Sequence, residues 1–407
     1  IREISRDREN VKKYISNALG IKIFLSILTF LITFLFLGIM GYDHDLIVIT
    51  YIMVVFIILQ SFTDLFYSVF RAFEQMHYDA ILKALRMIVL SVLVFIVISG
   101  GSSLITATWM FVLTELFILI ISSIIFIKKF AKLSIEFDFE FNKILLKKSS
   151  FFALSLIFSM MLLFIDSVML QNIRGSGEVG IYTASSNLLL GVIFIPLMFS
   201  NAIYPVFSRY FVNDKDILKF AFKKSFQYML MLGLPTAIGI FVYSQNIINL
   251  IYGAEYSDAI ISLKILSIFA GLVFITLISG TALSAINRQG SRVFSQGLIA
   301  VINIILNLIL IPKFGFVGAG IATVISQVFF LILYTHFTIK YGLGFGFIKS
   351  LIKPLIASAL MAMVIINIPN LLLGTIAGAV SYFSILLILR TFKKEDKYLL
   401  MRIIRDN

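Results

Sequence analysis

The sequence predicts an all-α, polytopic membrane protein with about twelve transmembrane helices. Three observations carry that prediction. Of the 407 residues, 60% are hydrophobic and the mean hydropathy is +1.03, outside the range of ordinary soluble domains. The apolar residues fall into repeated stretches of about 20, the length needed to cross a bilayer. Lysine and arginine collect in alternate connections between those stretches, as they do in loops held in the cytoplasm.

The elements follow in order. The first span, 17–40, leaves a basic opening (Arg2, Arg6, Arg8, Lys12, Lys13) and ends at Gly41-Tyr42-Asp43-His44-Asp45. The second, 46–70, returns to Arg71. The third and fourth, 79–100 and 102–127, turn at Gly100 to Ser103 and come back to Lys128, Lys129, Lys132, Lys143, Lys147 and Lys148. The fifth and sixth, 149–172 and 179–206, turn at Asn172 to Glu178 and return to Arg209, Lys215, Lys219, Lys223 and Lys224. The seventh and eighth, 226–251 and 259–286, turn at Gly253 to Asp258 and return to Arg288 and Arg292. The ninth and tenth, 293–312 and 315–339, turn at Lys313-Phe314 and return to Lys340, Lys349 and Lys353. The last two, 350–368 and 371–390, turn at Ile368 to Asn370 and end in a tail running from Arg390 to Arg405. Only Arg174 and Lys313 break the alternation. The expected location is the cytoplasmic (plasma) membrane, with both ends of this chain inside.

Three segments are expected: 1–135 with four spans, 136–345 with six, and 346–407 with a final helix pair and tail. The long inside connection 128–148 reads as the joint between two lobes, its Ile135-Glu136-Phe137-Asp138-Phe139-Glu140-Phe141 run extended or interfacial. A second inside stretch, 207–225, reads either as a short amphipathic helix on the membrane surface or as a solvated connector.

Composition and loop length exclude several functions. The net charge of +13 is divided among short juxtamembrane loops, where it sets orientation and meets anionic headgroups, so no nucleic-acid partner is expected. The absence of cysteine removes disulfides, thiolate metal sites and a cysteine nucleophile, and His44, His77 and His336 make no metal-ligand spacing. The outside loops are too short to carry a catalytic domain. The sequence shows no carboxylate pair and no serine–histidine arrangement at a water-facing end, so neither enzyme activity nor a cofactor is expected. Gly175-Ser176-Gly177-Glu178-Val179-Gly180 matches a dinucleotide-binding spacing, but it lies between two spans and reads as a turn.

Ionisable groups inside spans are costly and mark candidate sites. Lys22, Lys83 and Arg86 enter from the inside end, with Lys83 and Arg86 three residues apart on one face; snorkelling also accounts for the two lysines. Asp64 lies in the inner third of the second span. Glu115 lies mid-span in the fourth and Asp166 in the outer third of the fifth; for both, a structural hydrogen bond and a substrate or proton role stay open. Gln296, Asn303 and Asn307, spaced seven and four apart, form an amide stripe that either joins helices or lines a wet cavity. Asn187 and Asn201 add amides to the sixth span, and Pro196 and Pro235 are expected to kink the sixth and seventh. Gly374 and Gly378 form a G-x-x-x-G packing face, possible against another helix of the same chain.

Several stretches resemble the polysaccharide biosynthesis protein family, the Wzx-type lipid-linked oligosaccharide flippases of the multidrug/oligosaccharidyl-lipid/polysaccharide exporter superfamily. They are Arg2-Glu3-Ile4-Ser5-Arg6-Asp7, Phe70-Arg71-Ala72-Phe73-Glu74-Gln75-Met76, Ile165-Asp166-Ser167-Val168-Met169-Leu170 and Val179-Gly180-Ile181-Tyr182-Thr183-Ala184-Ser185-Ser186-Asn187. Asn201 to Arg209, Tyr252 to Tyr256, Ile286 to Gln289 and Leu310 to Thr323 continue in the family's order. The resemblance implies a MATE-like two-lobe bundle. Because the chain opens in a charged inside segment, it is expected to lack the first two helices of a fourteen-helix family. The resemblance further implies a flippase that moves a polyprenyl- or dolichyl-(pyro)phosphate oligosaccharide by alternating access, with a glycan polymerase or glycosyltransferases as partners. On that reading Lys22, Lys83 and Arg86 would capture phosphate. Asn187, Gln296, Asn303 and Asn307 would contact sugar or hold helices, and Glu115 or Asp166 would pair with a cavity cation or carry a coupling proton. A cation-coupled drug exporter and a non-transporting scaffold of glycan assembly are the alternatives.

Overall fold

The structure is a computed structural model that describes residues 11–73, 75–131 and 134–391. The Arg2–Asp7 stretch, Glu74, Lys132 and the basic tail beyond 391 lie outside the described residues. Eleven helices long and apolar enough to cross a membrane follow one another, and no strand occurs among the described residues. They are α1 (Val11–Met40), α2 (His44–Ala72), α3 (Met76–Ser99), α4 (Leu104–Lys129), α5 (Phe139–Arg174), α6 (Ser176–Asn213), α7 (Lys215–Ile251), α8 (Ala259–Ala285), α9 (Gln289–Thr338), α10 (Phe347–Ile365) and α11 (Leu371–Ile388).

Helix α9 contains two spans. Gly315 has φ 58° and ψ −136°, a left-handed backbone that only glycine adopts cheaply. Beyond it the chain folds back, so that Gly318 lies against the Leu310 carbonyl, a contact no straight helix could make. Glu178 secures the turn by accepting the Phe316 N–H at 2.8 Å. The backbone of α9 therefore breaks at Gly315, between the separate spans that the sequence predicts at 293–312 and 315–339. Arg174, one of the two exceptions to the charge alternation, donates to the carbonyls of Ile311 and Pro312, which the turn leaves without helical partners.

The described residues divide between Ser149 and Ser150 into two compact units. In the first, α2 packs on α1, α3 and α4 through a stripe of Thr63, Phe66, Tyr67 and Phe70, spaced three and four apart. The segment 134–138 has no regular secondary structure and is tied to α1, with the Glu136 N–H on the Ser16 carbonyl and the Asp138 N–H on Asn17 Oδ1 at 2.8 Å. In the second unit α8 is apolar on every side and lies buried among α6, α7 and α9.

The surface-helix reading of 207–225 is corrected. Helices α6 and α7 continue as single long rods and meet at Asp214, whose side chain caps α7 by accepting the N–H groups of Asp216 and Ile217. Both helices continue through Pro196 and Pro235; the interruption comes at Gly315. Large apolar side chains stand exposed along the helices, Phe95, Leu104, Leu372 and Ile388 among them, as a lipid-facing surface requires.

The final pair, α10 and α11, packs on α7. Tyr243 Oη donates to the carbonyls of Ile365 and Ile368, and Tyr382 Oη donates to the Met231 carbonyl at 2.7 Å. Gly374 makes the first contact possible, because a Cβ there would overlap Tyr243 Oη; Gly378 sits against Ile365. The G-x-x-x-G pair thus packs within the chain. Gly374→Ala should cost about 1–3 kcal/mol through this overlap and lower the unfolding midpoint in detergent. Gly191→Ala, at an open helical position, should be neutral or slightly stabilising.

Candidate functional site

Each unit carries its own polar site. In the first unit the site is charged. Asp79, in the first turn of α3, pairs with Lys83 one helical turn on at 2.8 Å and with Arg71 at 3.6 Å. Lys83 lies over the ring of Tyr67, which is fully buried. One further turn along α3, Arg86 Nη1 reaches Glu115 Oε2 of α4 at 3.4 Å. Glu115 is completely buried, and Arg86 is partly exposed. The second carboxylate oxygen of Glu115 has no protein donor among the described residues, so this long contact is all that offsets its burial. Lys22, half-buried on α1, has exposed Asp64 of α2 as an electrostatic neighbour. The structure thus separates the predicted residues of this unit into an Arg86–Glu115 pair, an Asp79-centred pair of cations and a distinct Lys22 position.

In the second unit the site is largely uncharged. Asp166 of α5 is buried and accepts from three side chains: Asn307 on its Oδ1, and Thr323 and Tyr182 on its Oδ2, the last at 2.8 Å. Asn307 and Thr323 come from the two arms of α9, so the fold-back at Gly315 assembles the network. Asn307 also donates to Asn303 Oδ1 at 3.1 Å, and Gln296 bonds Ser155 and Ser159 of α5. Three donors on one carboxylate strongly favour its acceptor role, and no Lys or Arg among the described residues forms an ion pair with it.

Beside this network lies a cavity of about 370 Å³, walled by Ser159, Asn201, Arg292, Gln296, Asn303 and Gln327 with apolar residues between them. Three of its polar atoms, Ser200 Oγ, Ser326 Oγ and Arg292 Nε, are buried without a protein partner among the described residues. Of the predicted residues, Gln296 and Asn303 face the cavity and Asn307 ties Asp166. Asn187 is exposed on α6 and does not line it. The sequence reading missed Arg292, Tyr182, Thr323 and Gln327. A signal existed for Arg292: it stands four residues before Gln296, on the face that carries Asn303 and Asn307. Of the G-x-G-x-x-G run only Gly175, at φ 92°, is a turn; Ser176 to Gly180 already belong to α6, which corrects the reading of the whole run as a turn.

Eleven helices long and apolar enough to cross a membrane, one of them folded back on itself at Gly315, and two compact units define a multi-pass helical membrane protein. The chain belongs to the polysaccharide biosynthesis protein family, whose profile matches residues 1–211. It is 28% identical over 224 residues to a protein of Haloferax volcanii named "probable low-salt glycan biosynthesis flippase", an overlap of 52% of this chain and 48% of that one. The chain therefore spans about half the length of that relative. Among solved structures, the lipid II flippase MurJ in an inward closed conformation superposes with a TM-score of 0.77 at 19% identity, over 96% of this chain and 87% of that one. An inward-facing multidrug resistance MATE transporter gives 0.70 at 15% identity, over 88% and 83%. At these identities the likeness concerns the fold.

Two stability predictions follow from the geometry. Arg86→Met should cost about 3–5 kcal/mol, because Glu115 is left buried and alone; adding Glu115→Leu should recover most of it, read from unfolding midpoints of the purified chain. Asp166→Ala strands three donors and should cost about 3 kcal/mol or more, with Asp166→Asn intermediate because it keeps one acceptor.

Proposed function

We propose that this chain carries an amphiphilic lipid-linked oligosaccharide, on a polyprenyl or dolichyl (pyro)phosphate, across the cytoplasmic membrane by alternating access. The observation that carries this reading is the cavity of the second unit, in which the buried hydroxyls of Ser200 and Ser326 and the Arg292 Nε lie without protein partners among the described residues, amid apolar walls. Groups so placed suit a ligand rich in hydroxyls, since a buried polar atom without a partner costs about 1–3 kcal/mol. A sugar offers hydroxyls to Gln296, Asn303, Ser200 and Ser326, and an anionic phosphate offers acceptors to Arg292. The family and the named relative support the same substrate class. In the first unit, Arg86 and Lys83 are the phosphate-binding candidates, each held by a carboxylate that a phosphate would compete with. Lys22 is a further candidate, and Asp166 is the candidate coupling group, exchanging hydrogen-bond donors for a proton or cation as the cavity changes state. Both ends of the chain face the cytoplasm on this reading, and glycosyltransferases or a glycan polymerase act before and after transport.

Exposed Asp64 and buried Asp166 favour a second reading, cation-coupled export of cationic compounds. The two readings part at the cations. In a flippase-deficient strain expressing the chain from its natural gene, Arg292→Gln and the Arg86→Met/Glu115→Leu pair should each reduce surface glycan about tenfold or more, with normal amounts in the membrane. If glycan is unchanged while efflux of a cationic dye falls in the Asp166→Asn variant, the flippase reading is wrong and the exporter reading stands. If neither activity responds to any of these changes, a scaffolding role in glycan assembly replaces both.

A further inference from the structure

Pro235 stands in the middle of α7, and α7 runs on through it as one helix. A proline has no N–H, so the carbonyl four residues earlier, that of Met231, is left without its helical donor. In hydrocarbon such a carbonyl needs a partner from elsewhere. Tyr382 of α11 supplies it, donating its Oη to the Met231 carbonyl at 2.7 Å from a side chain that is 1% exposed. The hydrogen bond that completes α7 is therefore held by another helix, a member of the final pair.

Two further features flank this point. On one side α7 meets α8 backbone to backbone. A Cβ on Gly233 would lie 2.8 Å from the Gly271 carbonyl, and one on Gly271 would lie 2.9 Å from Ala237 Cβ. Small residues at such a crossing let the two backbones touch, which gives α7 a fulcrum. On the other side an apolar groove of about 370 Å³ runs between Leu232, Pro235 and Gly239 of α7 and Gly378 and Phe383 of α11, so the wall beside the proline is not close-packed. Sharp bends in helices fall at prolines, where the ladder of backbone bonds is already broken. We propose that the Tyr382–Met231 hydrogen bond is a conformational latch. Closed, it holds α7 in the shape seen here. Open, it strands the Met231 carbonyl, and α7 bends between Met231 and Pro235 over the Gly233–Gly271 contact. Helix α8, on which α7 rests, walls the polar cavity with Thr276, Gly280 and Ser284. A bend in α7 thus reaches that cavity from behind, and the α10–α11 pair governs it. The latch concerns the shape of α7 and stands apart from the choice of substrate.

The test uses spin labels on the purified full chain in detergent. The sequence has no cysteine, so an introduced pair is unique. Lys223→Cys and Phe241→Cys put labels at exposed positions on one face of α7, on either side of Pro235 and about 27 Å apart along the axis. Double electron–electron resonance should show one dominant distance. Tyr382→Phe removes only the donor and should raise the population of a second distance several-fold. Pro235→Ala returns an N–H to the Met231 carbonyl, so Pro235→Ala/Tyr382→Phe should show the single distance again. Tyr243→Phe breaks bonds to the end of α10 that no proline creates, and should leave the distribution unchanged. If Tyr382→Phe alone does not fold, Pro235→Ala should rescue it. An unchanged distribution in Tyr382→Phe, a second distance that persists beside Pro235→Ala or arises equally in Tyr243→Phe, or a folding failure that Pro235→Ala does not rescue overturns the proposal.

Discussion

Hydrocarbon offers no hydrogen bonds, and that constraint governs this molecule from its secondary structure to its cavity. Helices satisfy their own backbone, so the chain is helical wherever it crosses. Hydroxyls that would otherwise be stranded fold back on their own helix: Thr29, Thr33, Thr50, Thr108 and Ser122 each donate to the carbonyl four residues earlier. Where the helix itself must end inside the bundle, side chains take over. Arg174 and Glu178 serve the break at Gly315, and Tyr243 serves the end of α10. Polar atoms that escape this satisfaction are few, and those in the second unit include three around a single cavity, which is why that cavity carries the functional argument.

The number and order of the spans were legible in the sequence because hydropathy and charge alternation are properties of whole segments. Even the hairpin inside α9 was legible, since Lys313-Phe314-Gly315 interrupts two apolar runs that are each long enough to cross. Helix ends were less so. The charged stretch 207–225 resembles a surface helix in composition, yet two long helices run on into it and meet at the Asp214 cap. Hydropathy cannot distinguish a helix that stops at the interface from one that continues beyond it.

Site residues were legible where charge stood out of an apolar run, as with Glu115, Arg86 and Asp166. Their partners were not. Tyr182 and Thr323 lie 16 and 157 positions from Asp166, and only the fold-back at Gly315 brings Asn307 and Thr323 to the same carboxylate. Arg292 was hidden for another reason. It follows a turn in the basic set of connections, so orientation alone accounted for it, yet it extends to Ser284 at 2.7 Å and its Nε lies in the cavity wall.

The two units solve different electrostatic problems. In the first, cations are held by carboxylates at Asp79 and Glu115, and the Arg86–Glu115 pair is long and incompletely satisfied. In the second, one carboxylate is held by neutral donors, and the polar groups of the largely apolar cavity wall are mostly amides and hydroxyls. A network of neutral donors binds sugars without committing to a charge. The transport reading proposed above rests on the second kind of surface, because a small cationic drug has no use for a guanidinium and an amide stripe, whereas a phosphate and a sugar do.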